Sequence, residues 1–305
     1  MTESVLGSTV LADVSLARNA QLLAPAALAQ PAAVTPNAGT PVLVIDVPVP
    51  GQEFAIDATP TMPAIKCQAR IVGVAPDPTP RTAFNWFIEI VEPRQAGTCA
   101  SAGVSCVYFD QANGLVGGVW LPQFQGYRGG DVRIGVSVTY AGSVLRAETR
   151  VKIIGTNPPF SEVHKACGGS TTDAAKIACH ESGMQQFRKS GLPVLGPGGD
   201  VGIMQLCGPK PATCDERWNW RANVAAGIAL FTTHSAAARQ YLDTHKVDGK
   251  WPNDKNMTKE QVLQRESIKR YNGRVYWTWD EKSSMWLAQP PGDYTDKVLG
   301  STGCR

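Results

Sequence analysis

The segment Cys179-His180-Glu181-Ser182-Gly183 places one carboxyl late in a stretch where Ala175, Ile177 and Ala178 recur at helical spacing. Either Thr172 or Asp173 can cap that helix. The Ser-Gly pair after Glu181 can end the helix and turn the chain, leaving the carboxyl facing a cleft. Partial burial there disfavours the charged form and raises the pKa, which suits a group that delivers a proton near neutral pH. Taken alone, the tripeptide also fits a solvated surface carboxylate. Asp200 is the nearest second carboxylate. With a water held opposite Glu181 it would permit hydrolysis with inversion, and it can equally cap a short helix after it.

Glu181-Ser182 opens an ordered series. GDVGIMQL follows at 199–206, NVAAGIALF at 223–231, RYNG at 270–273 and DYTDKVLG at 293–300. In order and approximate spacing the series resembles the lytic transglycosylases of glycoside hydrolase family 23, related in fold to goose-type lysozyme. Their pattern is an ES pair, a GLMQ-like turn, an N-x-x-x-G helix, an AYN-x-G element and a terminal Y-x-x-x-V helix. The resemblance covers the C-terminal half only. It implies cleavage of the bond between N-acetylmuramic acid and N-acetylglucosamine in peptidoglycan, with Glu181 as the single acid and base. The sugar's own C6 hydroxyl would attack, so one carboxyl suffices and no cofactor or metal is expected. By the same resemblance Ser182 orients the glutamate, Gly202, Met204 and Gln205 line the groove, Tyr271 and Asn272 face Glu181, and Tyr294 lies near the carboxyl.

The chain departs from that pattern in two places. Arg270 stands where the family has alanine, and the segment after it, GRVYWTWDEKSSMWLAQPPGD, is longer than the family's short link. It carries Tyr276, Trp277, Trp279 and Trp286, which either stack on sugar rings as a substrate-binding flap or pack as a small satellite core. His180 adjoins Glu181 but is expected on another face of the helix, in a structural role.

The elements that must position these residues divide the 305-residue chain in two. Residues 1–39 are an Ala- and Pro-rich segment and linker, either a frayed terminus or a docking segment for a delivery partner. Over 40–157, Val132, Ile134, Val136, Val138 and Tyr140 alternate with polar residues. After the Ala-Gly-Ser link, Leu145, Ala147, Thr149, Val151 and Ile153 do the same, and Phe84, Trp86, Ile88 and Ile90 form a further apolar face. This pattern predicts an antiparallel immunoglobulin-like β-sandwich with Trp86 as a core anchor, serving as a spacer or binding module. Two prolines in TNPPF (156–160) stop the last strand. From 158 to 305 helical signals dominate: a long apolar-periodic stretch after Asn219, and a capping box in TKEQ (258–261). A mainly α, lysozyme-like domain is the expectation.

Apolar residues make up 43% of the chain and charged residues 18%, a composition that supports packed cores rather than disorder. Residues 1–159 hold 10 Lys and Arg against 11 Asp and Glu, while 160–305 hold 19 against 15, so the halves carry −1 and +4. A mildly cationic second half suits an anionic cell wall and is too weakly charged for a nucleic-acid partner.

Eight cysteines at 67, 99, 106, 167, 179, 207, 214 and 304 lack any CxxC pair and favour disulfides over zinc ligands or unpaired thiols. A Cys207–Cys214 bridge would hold the groove wall, and a bridge from Cys304 would pin the tail. Disulfides imply an oxidising setting, yet the opening residues make a poor secretory signal, and no apolar run suits a membrane span. The expected place is therefore the periplasm or cell envelope of a target bacterium, reached on a phage particle or as an injected antibacterial effector. An effector would have a cognate inhibitor protein in the producing cell.

Overall fold

The computed structural model describes residues 39–93, 97–101, 105–208, 210–247, 249–252, 257–290, 292–301 and 304. Residues 1–38, which carry nearly all of the Ala- and Pro-rich segment, lie outside the described residues. Alternation becomes structure where it is longest. Strands β7 (Gly130–Tyr140) and β8 (Ser143–Gly155) form a hairpin through Ala141-Gly142, with Val132 opposite Val151 and Val138 opposite Leu145. On the other side of β7 lies β4 (Ala83–Val91), whose Phe84, Trp86, Ile88 and Ile90 are all buried. Strand β5 (Val107–Val116) extends the sheet beyond β4, and β2 (Glu53–Ile56) joins at the opposite edge, giving the order β2-β8-β7-β4-β5. A second sheet, ordered β1-β3-β6, comprises β1 (Val42–Val47), β3 (Cys67–Val72) and β6 (Val119–Trp120).

Six α-helices follow among the described residues: α1 (Phe160–Ala166), α2 (Asp173–Ser182), α3 (Cys214–Trp218), α4 (Trp220–Thr244), α5 (Lys259–Tyr271) and α6 (Tyr294–Leu299). Between α5 and α6 runs a further hairpin, β9 (Trp277–Asp280) with β10 (Met285–Ala288). None of the described helices is long and apolar enough to cross a membrane.

This architecture corrects the expected one. Over the described residues the chain is mixed α/β, with 30% strand and 27% helix, rather than an antiparallel immunoglobulin-like sandwich followed by a mainly α lysozyme-like domain. β2 pairs with β8 in parallel, so the larger sheet is mixed. The helical part carries a hairpin of its own and isolated bridges at 187–206. Alternation identifies a strand and its buried face but carries nothing about the direction of its neighbour, which is why the parallel pair escaped the sequence reading.

The two halves also share a core. Phe187 and Trp218 pack into the buried cluster built on the sheets. Both fit because glycines leave room: a Cβ on Gly129 would come within 2.2 Å of the Trp218 ring, and one on Gly155 within 2.2 Å of Phe187. Beside them Glu92, just past β4, meets Arg217 of α3 with Nη2 2.7 Å from Oε1, and the side chains are 0% and 1% exposed. Arg217 Nε donates to both carboxylate oxygens at 3.0 and 2.9 Å, and Trp218 Nε1 donates to Oε2 at 3.1 Å.

Removing one partner of such a pair strands a buried charge. Arg217→Met is therefore expected to cost about 3–5 kcal/mol, read from urea unfolding followed by tryptophan fluorescence. A loss under about 1 kcal/mol would make the pair no more than a surface bridge.

Candidate active site

Helix α2 is set by the cap and by one apolar face. Thr172 Oγ1 accepts the Ala175 N–H at 3.2 Å, Ala174, Ala175, Ile177 and Ala178 are buried, and Gly183 ends the helix with φ 63°. Glu181 falls in the last turn, half-buried, at the negative end of the helix dipole. Its Oε1 accepts the hydroxyl of Tyr294, the first residue of α6. Burial pushes the Glu181 carboxyl above the ordinary carboxylate range, donation from Tyr294 opposes that shift, and the charge of Asp200 adds to it. Burial and the adjacent Glu181 push the Tyr294 hydroxyl up in turn, so it stays protonated as the donor. His180 sets its ring edge-on to Tyr294, centroids 5.2 Å apart, and is held below the usual imidazole value by burial and by Lys297. His180 thus braces the tyrosine that touches Glu181 and makes no described contact with the carboxyl itself.

The 199–206 turn is held by side chains from three directions. Ser182 Oγ donates to Ile203 O at 2.8 Å, so it ties the end of α2 to the turn and makes no bond to the Glu181 carboxylate. Asn223 of α4 accepts Met204 N–H at 2.8 Å and donates to Val201 O at 3.0 Å. Gln186 accepts Ile203 N–H at 3.2 Å and donates to Arg217 O at 2.8 Å, which links the turn to the helix bearing the buried ion pair. From α5, the Tyr271 hydroxyl donates to Met204 O at 2.7 Å, and burial together with Glu181 and Asp200 raises its pKa.

The residues expected to line a groove also make contacts within the protein. Gly202 (φ +72°) is required because a Cβ there would lie 2.5 Å from Asn223 Nδ2 and 2.6 Å from Gln186 Oε1. The Met204 side chain is fully buried, fitting against Gly227 where a Cβ would come within 2.4 Å. This gives the Asn223-x-x-x-Gly227 spacing its physical sense: one helix turn apart, the first grips the turn's backbone and the second makes room for its methionine. Gln205, half-buried at φ 44°, donates through Nε2 to Gly202 O at 2.8 Å. Asn272 is exposed at the C-cap of α5. Gln186, fully buried, was missed by the sequence reading, where its only signal was a polar pair before Phe187.

Asp200 caps no helix, because residues 201–206 form bridges and turns. Its Oδ1 lies 2.9 Å from Cys99 Sγ, and its Oδ2 stands beside Gly196 together with Gln205 Oε1. Cys99, Asp200 and Cys207 lie close enough to suggest a metal site, but the two sulfurs are bonded to each other and are not thiolate ligands.

Three disulfides fix these elements. Cys99–Cys207 and Cys106–Cys214 join the two halves at the same separation of 108 residues, so the two CxxxxxxC spacings pair with each other and the expected Cys207–Cys214 bridge does not form. Cys304 bonds to Cys179, two residues before Glu181, and pins the tail as anticipated. Cys67 and Cys167 are buried thiols whose pKa burial raises to about 12 and about 11.

The aromatic segment between α5 and α6 is a satellite core, not an open flap. Tyr276 and Trp277 are buried, and Trp279 and Trp286 pack around Tyr241 and His245 of the α4 end. Glu266 accepts the N–H groups of Tyr276 and Trp277 at 2.8 and 2.9 Å and pairs with Arg270 Nε at 2.7 Å. Arg270 also lies over the Tyr241 ring, 4.7 Å from its centroid. Arg270 and the aromatic segment after it are thus joined through Glu266.

No protein-family model and no curated protein matches the chain. Among solved structures, an engineered protein determined by a structural genomics consortium is 15% identical over 38% of this chain and 21% of that one, with a TM-score of 0.21, a likeness that carries no argument.

A carboxyl whose pKa is higher in the folded than in the unfolded chain, where it is about 4.3, destabilises the fold as pH rises through that window and fully above it. Glu181→Gln keeps an acceptor for Tyr294 and removes the charge. Its Tm is expected above that of the unsubstituted protein at pH 7, with the gap closing below about pH 4; calorimetry across pH checks both.

Proposed function

We propose that this chain is a peptidoglycan lytic transglycosylase with Glu181 as its acid and base. The observation that carries the reading is the Glu181–Tyr294 couple: a half-buried carboxyl at a helix end, its pKa raised, with a neutral hydroxyl donating to it. In the proposed reaction the protonated Glu181 gives its proton to the oxygen linking N-acetylmuramic acid C1 to N-acetylglucosamine, and the C1–O bond breaks. The carboxylate then takes the proton of the C6 hydroxyl on the same muramic residue as that oxygen closes on C1. The products are a free hydroxyl on N-acetylglucosamine and a 1,6-anhydro muramic end, with no water consumed and Glu181 returned to its acid form. The tyrosine keeps its proton throughout and steadies the carboxylate between the two transfers. The disulfides fit work in an oxidising compartment, and we place it in the periplasm or envelope of a target bacterium. A delivery system acting through the N-terminal region and a cognate inhibitor would be its partners.

Asp200 supports a second reading, hydrolysis by a muramidase, because it is near enough to raise the Glu181 pKa. Its contact with the Cys99 sulfur weighs against a free base holding a water.

Mass spectrometry of purified peptidoglycan treated with the protein decides the matter. The expected products are 1,6-anhydromuropeptides, with Glu181→Gln lowering the rate by roughly 100- to 10,000-fold and the rate falling as rising pH deprotonates Glu181. Reducing ends lost on Asp200→Asn substitution would establish the muramidase. Sedimentation with cell walls without soluble fragments would leave a binding protein instead.

A further inference from the structure

Helix α6 spans Tyr294–Leu299, too short to hold its first side chain in place by its own hydrogen bonds. It is fastened at both ends. Beyond its C-terminus the chain reaches Cys304, bonded to Cys179 of α2. At its N-terminus Asp293 is the cap, with Oδ1 accepting the Asp296 N–H at 3.2 Å. Its other oxygen, Oδ2, accepts from Lys269 Nζ at 2.8 Å, and these side chains are only 8% and 6% exposed. Among the described ion pairs only Glu92–Arg217 is more deeply buried on both sides. Lys269 lies in the last turn of α5, two residues before Tyr271, so the same helix end supplies the hydroxyl that grips Met204 O and the cation that grips the residue before Tyr294.

We infer that Lys269 is a positioning residue for the acid–base couple: its buried ion pair with Asp293 holds α6 where the Tyr294 hydroxyl meets Glu181. The inference rests on the reading of Glu181 as the acid and base, and it adds a residue that touches neither substrate nor the carboxyl. A direct effect of the Lys269 charge is not the route. The groups acting on Glu181 are Tyr294 and Asp200, besides burial, and those acting on Tyr294 are Glu181 and Tyr271. His180 from α2 packs on the Tyr294 ring, and Lys297 of α6 acts on His180. Arg265 holds α6 independently through Asp296, one turn further on, so loss of Lys269 releases the capped end rather than the whole helix. A freed Asp293 carboxylate turns toward water and carries Tyr294 with it, because the two residues are adjacent.

The test reads Glu181 itself and needs no substrate. The side-chain carboxyl of Glu181 is titrated by carbon NMR in the unsubstituted protein and in Lys269→Met, Lys269→Arg, Asp293→Asn, Tyr294→Phe and the Lys269→Met/Tyr294→Phe double variant. Tyr294→Phe removes a donor to the charged form and is expected to raise the Glu181 pKa. Lys269→Met is expected to shift it the same way, the double variant no further than Tyr294→Phe, and Lys269→Arg to return it to the starting value. Asp293→Asn keeps a capping oxygen while breaking the ion pair. It is expected to repeat Lys269→Met and carries the test should that variant fail to fold. An unmoved Glu181 titration in Asp293→Asn, or shifts from Lys269 and Tyr294 that add in the double variant, overturns the positioning role. Absence of glycan cleavage with these shifts present overturns the proposed activity and leaves the positioning role standing.

Discussion

Glu92 and Arg217 meet where water does not reach, and the rest of the molecule is arranged around that meeting. A buried ion pair seldom adds net stability over apolar residues of the same shape, but with one partner displaced it becomes a severe penalty. It therefore works as a registration device. The β half and the helical half have one acceptable relative placement, in which Trp218 and Phe187 fill the space left by Gly129 and Gly155. Since Gln186 donates to the carbonyl of Arg217 and also accepts from Ile203, that placement passes directly into the turn beneath the candidate site.

The turn itself shows how irregular backbone is kept inside a protein. Its N–H and carbonyl groups at Val201, Ile203 and Met204 have partners in Asn223, Gln186, Ser182 and Tyr271, four side chains from three stretches of the chain. Those partners leave no room for a Cβ at residue 202 and little freedom for the residues around it. Glu181 and Tyr294 then need only a rigid mounting, which α2 obtains from its buried alanine face and α6 from its two fastened ends.

Local chemistry was legible in the sequence wherever it depends on near neighbours. The Thr258–Gln261 capping box, the Thr172 cap, the β7–β8 hairpin and the buried face of β4 all follow from spacing of a few residues, and each is present. Pairing of Glu181 with Tyr294 was implied by the resemblance rather than by any local pattern. What escaped depends on partners far along the chain. The parallel alignment of β2 with β8, the cross-pairing of the two cysteine spacings and the burial of Glu92 against Arg217 leave no trace in a window of ten or twenty residues. The aromatic segment before α6 was ambiguous for another reason: tryptophan serves equally well on a sugar or in a core, and the choice here was made by Glu266 holding the loop down onto α5.

The covalent bridges have a topological consequence. Cys179 lies inside the stretch closed by Cys99 and Cys207, while its partner Cys304 lies outside it, so the two closed rings overlap along the chain. Once the sulfurs are joined, no pull on the two termini can draw the polypeptide out in single file, because some segments must travel alongside others. Passage through any opening wide enough for only one extended strand therefore has to happen while the cysteines are still thiols, and the joined form can move between compartments only through openings that admit several strands abreast or the folded body.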